Sequence, residues 1–190
     1  MKANFIGLLL LYALSIGCSE SKSDSLPPVC DTTNSEFHQL YDQLAVTYDD
    51  RVTFDTSRHD YSFEVLTPKN ICSIGYQSYP DIASVPYRIE IFDNTSATLI
   101  YSGDHVFSST ATSYVSVGSI PLLVGHSYTI KRIQNNWAPY ITNTMGRLLY
   151  NSGPNYVFPF VMGDLKITDA FVLNTTYKRG IPFIDIVFEQ

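Results

Sequence analysis

The chain has 190 residues, 45% of them hydrophobic and 16% charged, with a formal net charge of −6 and a mean hydropathy of +0.00. That balance excludes an intrinsically disordered chain. Acidity without a basic run argues against nucleic acid and against an anionic lipid surface as partner, and the length suits one core better than two.

The chain opens with a short cationic start, Met1-Lys2-Ala3-Asn4, followed by an apolar run over residues 5–16 that ends at Gly17-Cys18. The run is too short for a bilayer core that needs about 20 apolar residues, so a retained transmembrane anchor is not expected. The layout is that of a bacterial export signal, residues 1–17, with cleavage before Cys18. It resembles the lipobox of bacterial lipoproteins, which implies that Cys18 carries the lipid anchor, palmitate included. The match departs from the family at one place: Leu14 stands four residues before the cysteine, and Ser15 holds the position where the family prefers leucine. Ser15 and Gly17 also satisfy the small-x-small rule of ordinary secretory cleavage, and both rules cut the same bond.

The chain has three cysteines, Cys18, Cys30 and Cys72. Lipidation of Cys18 leaves two, and two can pair in an oxidising compartment. The expectation is a Cys30–Cys72 disulfide, worth about 4 kcal/mol in the chain-entropy treatment; the alternative is two buried thiols. Residues 18–29 are small, polar and proline-tipped, the composition of a flexible tether that lifts a domain off a membrane. Their acidic, serine-rich character resembles the export tags of some Gram-negative surface lipoproteins, which implies outer-membrane or cell-surface placement in a bacterial envelope, with periplasm-facing and outward-facing placement both open. Asp24-Ser25-Leu26 and Asp31-Thr32-Thr33 resemble a short bacterial O-glycosylation signal.

Residues 30–190 read as one antiparallel β-sandwich, jelly-roll or immunoglobulin-like, with one short helix near its start. Thr33-Asn34-Ser35-Glu36 has the form of a capping box, and Phe37, Leu40, Tyr41 and Leu44 follow at helical spacing. Strands are expected over 51–54, 61–65, 71–76, 87–92, 97–101, 112–117, 128–133, 156–161, 165–173 and 181–188. The clearest is 87–92, where Tyr87, Ile89 and Ile91 alternate with Arg88 and Glu90. Asp93-Asn94-Thr95-Ser96 carries turn chemistry, and Asn94-Thr95-Ser96 and Asn174-Thr175-Thr176 are read as turns rather than glycan acceptors. Strands at this density with no βαβ rhythm give the sandwich.

In Pro121-Leu122-Leu123-Val124-Gly125-His126-Ser127-Tyr128, Gly125 suits a positive φ while Leu122 and Tyr128 anchor the two arms. With 71–77 and Ile181-Pro182-Phe183-Ile184-Asp185-Ile186-Val187-Phe188, this segment resembles a group of uncharacterised bacterial surface lipoproteins with jelly-roll-like domains, over roughly residues 50–190. The resemblance implies a fold and no activity.

Chemistry is harder to find. His38, His59, His105 and His126 lack zinc-site spacing, and His59-Asp60 and Asp104-His105 are expected to be solvated turn residues. The sequence holds no G-x-S-x-G elbow, H-E-x-x-H or phosphate loop. A hydrolase built on two of Glu64, Glu90, Asp164, Asp169 and Asp185 is the weakest of the functional readings. Asp49, Asp50, Asp55 and Asp60 crowd one region, where calcium weighs against a solvated acidic surface; no metal and no cofactor is assigned. The connection 134–155 is the most suggestive stretch, holding Trp137 with Tyr140, Arg147, Tyr150 and several amides. Aromatic faces stack on sugar rings while amides and guanidinium bond hydroxyls, so this set is the candidate ligand site; the competing reading is a loop plugging one end of the sandwich. The expectation is a non-catalytic binding or adhesion module with a glycan or envelope protein as partner. The alternative is a structural accessory subunit of an envelope complex.

Overall fold

The computed structural model describes residues 29–54, 57–78, 82–140, 145–151, 157–171 and 180–190. The signal segment, Cys18 and the tether up to residue 28 lie outside the described residues, as do Asp55 and Asn174-Thr175-Thr176. Among the described residues no helix is long and apolar enough to cross a membrane.

Helix α1 (Glu36–Ala45) is followed by strands β1 (Asp49–Phe54), β2 (Arg58–Val65), β3 (Lys69–Tyr76), β4 (Tyr87–Asp93), β5 (Thr98–His105), β6 (Ser113–Leu122), β7 (Tyr128–Gln134), β8 (Met145–Tyr150), β9 (Phe160–Met162), β10 (Leu165–Phe171), β11 (Gly180–Pro182) and β12 (Asp185–Phe188). Every strand pair among them is antiparallel. One layer is a six-stranded sheet in the order β5-β4-β7-β2-β10-β9. Two three-stranded sheets, β12-β3-β6 and β1-β8-β11, stand opposite it, joined through Phe183-Ile184 between β11 and β12. The expected antiparallel sandwich is therefore the fold.

Alternation drives the packing. In β7, Tyr128, Ile130, Arg132 and Gln134 face inward, and in β4 Tyr87, Ile89 and Ile91 do the same. β12 is buried at every position, as a strand covered on both faces should be. Helix α1 sits against β12, β9 and β8, and stacks Phe37 on Tyr61 (5.2 Å) while Tyr41 meets Phe183 edge-on at 4.8 Å.

Two expectations change in detail. Ser35, not Thr33, is the helix N-cap: its Oγ accepts from His38 N at 2.9 Å, while Thr33 turns back to Asp31. Glu36 leaves the capping box because it has better partners. Its Oε2 accepts the N–H groups of Asp164 (2.8 Å) and Leu165 (2.7 Å) at the β9–β10 turn. The second change is larger. Residues 134–155 are not one open connection, since β8 runs through them and forms the centre of its sheet. Met-Gly-Arg-Leu-Leu-Tyr lacks the alternation of a half-buried strand because Leu148 and Leu149 are both buried.

The disulfide is present. Cys30 and Cys72 are bonded with Cα atoms 5.9 Å apart, across 42 residues of sequence. Beside it the first and last described residues pair, Gln190 N donating to Val29 O at 3.0 Å. Residue 29 therefore enters next to the start of β3.

Candidate functional site

The strand register defines two ends. β3 begins at Lys69 beside the Cys30–Cys72 bond and runs 8 residues, roughly 25 Å, to Tyr76. Tyr76 packs edge-on against Tyr87 (5.1 Å) and Phe107 (5.5 Å). Tyr87 is the first residue of β4 and pairs with Gln134, the last of β7. The chain after β7, containing Trp137 and the 3-10 turn Ala138–Tyr140, thus lies at the end of the sandwich away from residue 29.

This far end rests on an unusual support. Arg132 is completely buried, its guanidinium against the rings of Tyr76 (5.6 Å) and Tyr87 (5.2 Å). Its cross-strand neighbour is His59, also completely buried. His59 and Asp60 were expected in a solvated turn. They sit inside β2 instead, with Asp60 salt-bridged to Arg58 at 2.7 Å. Burial raises the Asp60 carboxyl, against the pull of Arg58 and Lys131.

Above this support the surface is polar. Arg88 Nε and Nη2 donate to the two oxygens of Asp104 at 2.9 and 3.2 Å, and Asn135 Nδ2 donates to Asp104 Oδ1 at 3.2 Å. The hydrogen bonds from Arg88 and Asn135 hold Asp104 below the usual carboxylate range. Next to it His105 Nε2 lies 2.6 Å from Tyr101 Oη, and burial lowers the imidazole although Asp104 pulls the other way. Trp137, two residues beyond Asn135, is half-buried. An indole with part of its surface open, an amide, a carboxylate and a guanidinium are hydrogen-bonding and stacking groups of the kind a sugar ring needs.

The four residues singled out from sequence fall into two places. Trp137 and Tyr140 are in the chain after β7. Arg147 and Tyr150 are in β8, in the opposite layer. Arg147 holds Asp50 in a bidentate pair, with Nε–Oδ1 at 3.0 Å and Nη2–Oδ2 at 2.6 Å, and lies over the rings of Phe183 (4.6 Å) and Tyr41 (5.1 Å). Tyr150 is covered by the Arg51 guanidinium at 4.6 Å. Two residues before Trp137, Asn135 is instead bonded to Asp104 and, through it, to Arg88. Asp104 is contributed by a distant strand, and its pairing with Arg88 follows only from the β4–β5 register.

The carboxylates also sort themselves. Asp49, Asp50 and Asp60 each face an arginine: Arg51, Arg147 and Arg58. Glu64 pairs with Lys166 (2.9 Å) and Asp164 with Lys69 (2.8 Å). Among the described residues no group of three or more His, Cys, Asp or Glu side chains is placed to hold a metal ion.

Asp185 is one of the five carboxylates that the sequence offers for a hydrolase, and what sequence reasoning missed is its burial. Strand carboxylates usually face water, yet this one is fully buried. Ser35 Oγ donates to its Oδ1 and Tyr114 Oη to its Oδ2 at 2.8 Å, with His38 Nδ1 at 3.8 Å. Burial raises its carboxyl to about 6, against the opposing pull of Ser35, Tyr114 and His38. The available signal was its place in the apolar run 181–188, where a lone acid between isoleucines has nowhere to point but inward. The cluster ties β12 to the helix N-cap and to β6. It contains Ser, His and Asp, but the Ser35 hydroxyl is spent on Asp185 and on the cap, so the arrangement is that of a brace.

No protein-family model matches this chain, and no curated protein matches its sequence.

Proposed function

We propose that this chain is a bacterial cell-envelope lipoprotein, acylated at Cys18, whose β-sandwich is a binding or adhesion module for a glycan or surface protein. One observation carries the reading. Of three cysteines, Cys30 and Cys72 are bonded to each other, which leaves Cys18, the residue at the end of the lipobox-like segment, as the odd one. The disulfide also accords with an oxidising compartment. A half-open Trp137 with Asn135, Asp104 and Arg88, at the end away from residue 29, supports binding outward from the anchored side.

The test uses the full chain in two forms. The wild type partitions into the detergent phase and Cys18→Ser into the aqueous phase. The aqueous form is then applied to a glycan array with and without Trp137→Ala. The expected outcome is binding lost by Trp137→Ala, with its melting temperature within about 2 °C of the parent. A detergent-phase signal unchanged by Cys18→Ser ends the lipoprotein reading. Silence across the array turns the binding reading from glycan to protein.

A further inference from the structure

The end of the sandwich where residue 29 enters is built from turns, and turn tips are ordinarily polar. Here several are apolar. Leu66, between β2 and β3, is 48% exposed; Leu123 and Val124, between β6 and β7, are 55% and 52% exposed. The register brings the two turns together, because Lys69 at the start of β3 pairs with Leu122 at the end of β6. Leu66 N donates to Asp164 O, so the β9–β10 turn is at the same end. Val29 is also exposed, and Leu99 and Val161 stand one rung further in on the edge strands β5 and β9. Other exposed apolar residues, Val46, Val106 and Val157, lie elsewhere. Gly125, at φ +82°, forms the tight turn that holds Leu123 and Val124 outward.

We propose that this end is a membrane-docking surface, with Leu66, Leu123 and Val124 entering the interfacial region of the bilayer that holds the Cys18 anchor. The inference rests on the lipoprotein reading and says which face of the domain meets the membrane. Ten residues lie between Cys18 and Val29, and the eleven steps span at most about 38 Å of fully extended chain. The end that carries residue 29 is thereby confined near the lipid, and a contact too weak to recruit a free protein suffices once the encounter is intramolecular. The charges at this end set the lipid chemistry. Asp31, Glu36, Asp164 and Glu189 are acidic, and Lys69 is engaged by Asp164 (2.8 Å) and Glu36 (3.7 Å). Anionic headgroups are repelled, so the contact is apolar and the headgroups zwitterionic.

The chain's single tryptophan provides the control. Wild-type protein and a Leu123→Trp, Trp137→Phe double variant are expressed with their own signal and reconstituted in phosphatidylcholine–phosphatidylethanolamine vesicles, with and without brominated acyl chains. Both proteins are expected to float with the vesicles. Bromine is expected to quench the indole introduced by Leu123→Trp at least twofold and to leave Trp137 emission within about 10%. Val124→Trp in the same background repeats the measurement at a neighbouring exposed position. Flotation with no quenching at either position overturns the docking surface and leaves the anchor standing. Failure to float overturns both. A blue shift at position 123 without bromine quenching means that protein, not lipid, covers this end, and it too overturns the proposal.

Discussion

Asp185 shows how one side chain can carry a domain's pH response. Its carboxyl is raised to about 6 by burial, above the 3.8 of an unfolded chain. Between those values the folded state holds the proton and the unfolded state does not, so stability falls as pH rises through about 6 and is regained on acidification. A shift of this size corresponds to about 3 kcal/mol at neutral pH. The groups facing it are Ser35, Tyr114 and His38, with Asp42 behind the histidine and Tyr61 nearby. Asp185→Asn keeps two hydrogen-bonding atoms and removes the charge. Urea denaturation at pH 5 and pH 7 is expected to show the variant at least as stable as wild type at pH 7, with the gap closing at pH 5. His105, lowered by burial, contributes with the opposite sign in both proteins and cancels in the difference.

At the scale of elements, the junction of α1 with the β9–β10 turn and the start of β3 is held by one carboxylate. Glu36 accepts two turn N–H groups and faces Lys69. Gly163 makes the approach possible: it has φ +57°, and a Cβ there would lie 2.7 Å from Glu36 Cδ. Gly163→Ala therefore combines a left-handed backbone penalty with displacement of a carboxylate that has no slack. The expected cost is about 2–3 kcal/mol by denaturant titration. Gly125, at φ +82° with open space around it, has only the backbone term; alanine there costs about 1 kcal/mol.

Across the whole molecule, the all-β architecture was legible because β4 and β7 alternate cleanly, as does β2 from Tyr61 to Val65, and turn chemistry separates them. Tyr87, Ile89 and Ile91 lie inward as their spacing predicts, and Gly125, Leu122 and Tyr128 behave as the turn and its two anchors. β8 was not legible, since a strand buried on both faces loses its period and its Gly, Asn and Pro flanks resemble a loop. For the same reason Arg147 read as a ligand-binding loop residue when it is a sheet residue pairing Asp50. The disulfide followed from counting cysteines, and the inward Asp185 had a signal in its apolar run, but its partners Ser35, Tyr114 and His38 and the Arg88–Asp104–Asn135 group needed the tertiary fold, which sequence alone does not supply. Reduction with the fold otherwise intact is expected to lower stability by about 2–4 kcal/mol, read as the difference in denaturation midpoint with and without reductant.

The position of Cys30 has a mechanical consequence. Tension arriving along the chain from the N-terminal side meets, one residue after Val29, a covalent link to Cys72 in β3. The load passes directly into a strand that runs the length of the sandwich and is bonded on both sides, to β12 and β6. Without the bond, the same pull would peel the short Val29–Gln190 and Cys30–Glu189 pairing one rung at a time. The bond thus hands an N-terminal pull to a strand laddered on both sides instead of to the terminal pairing alone.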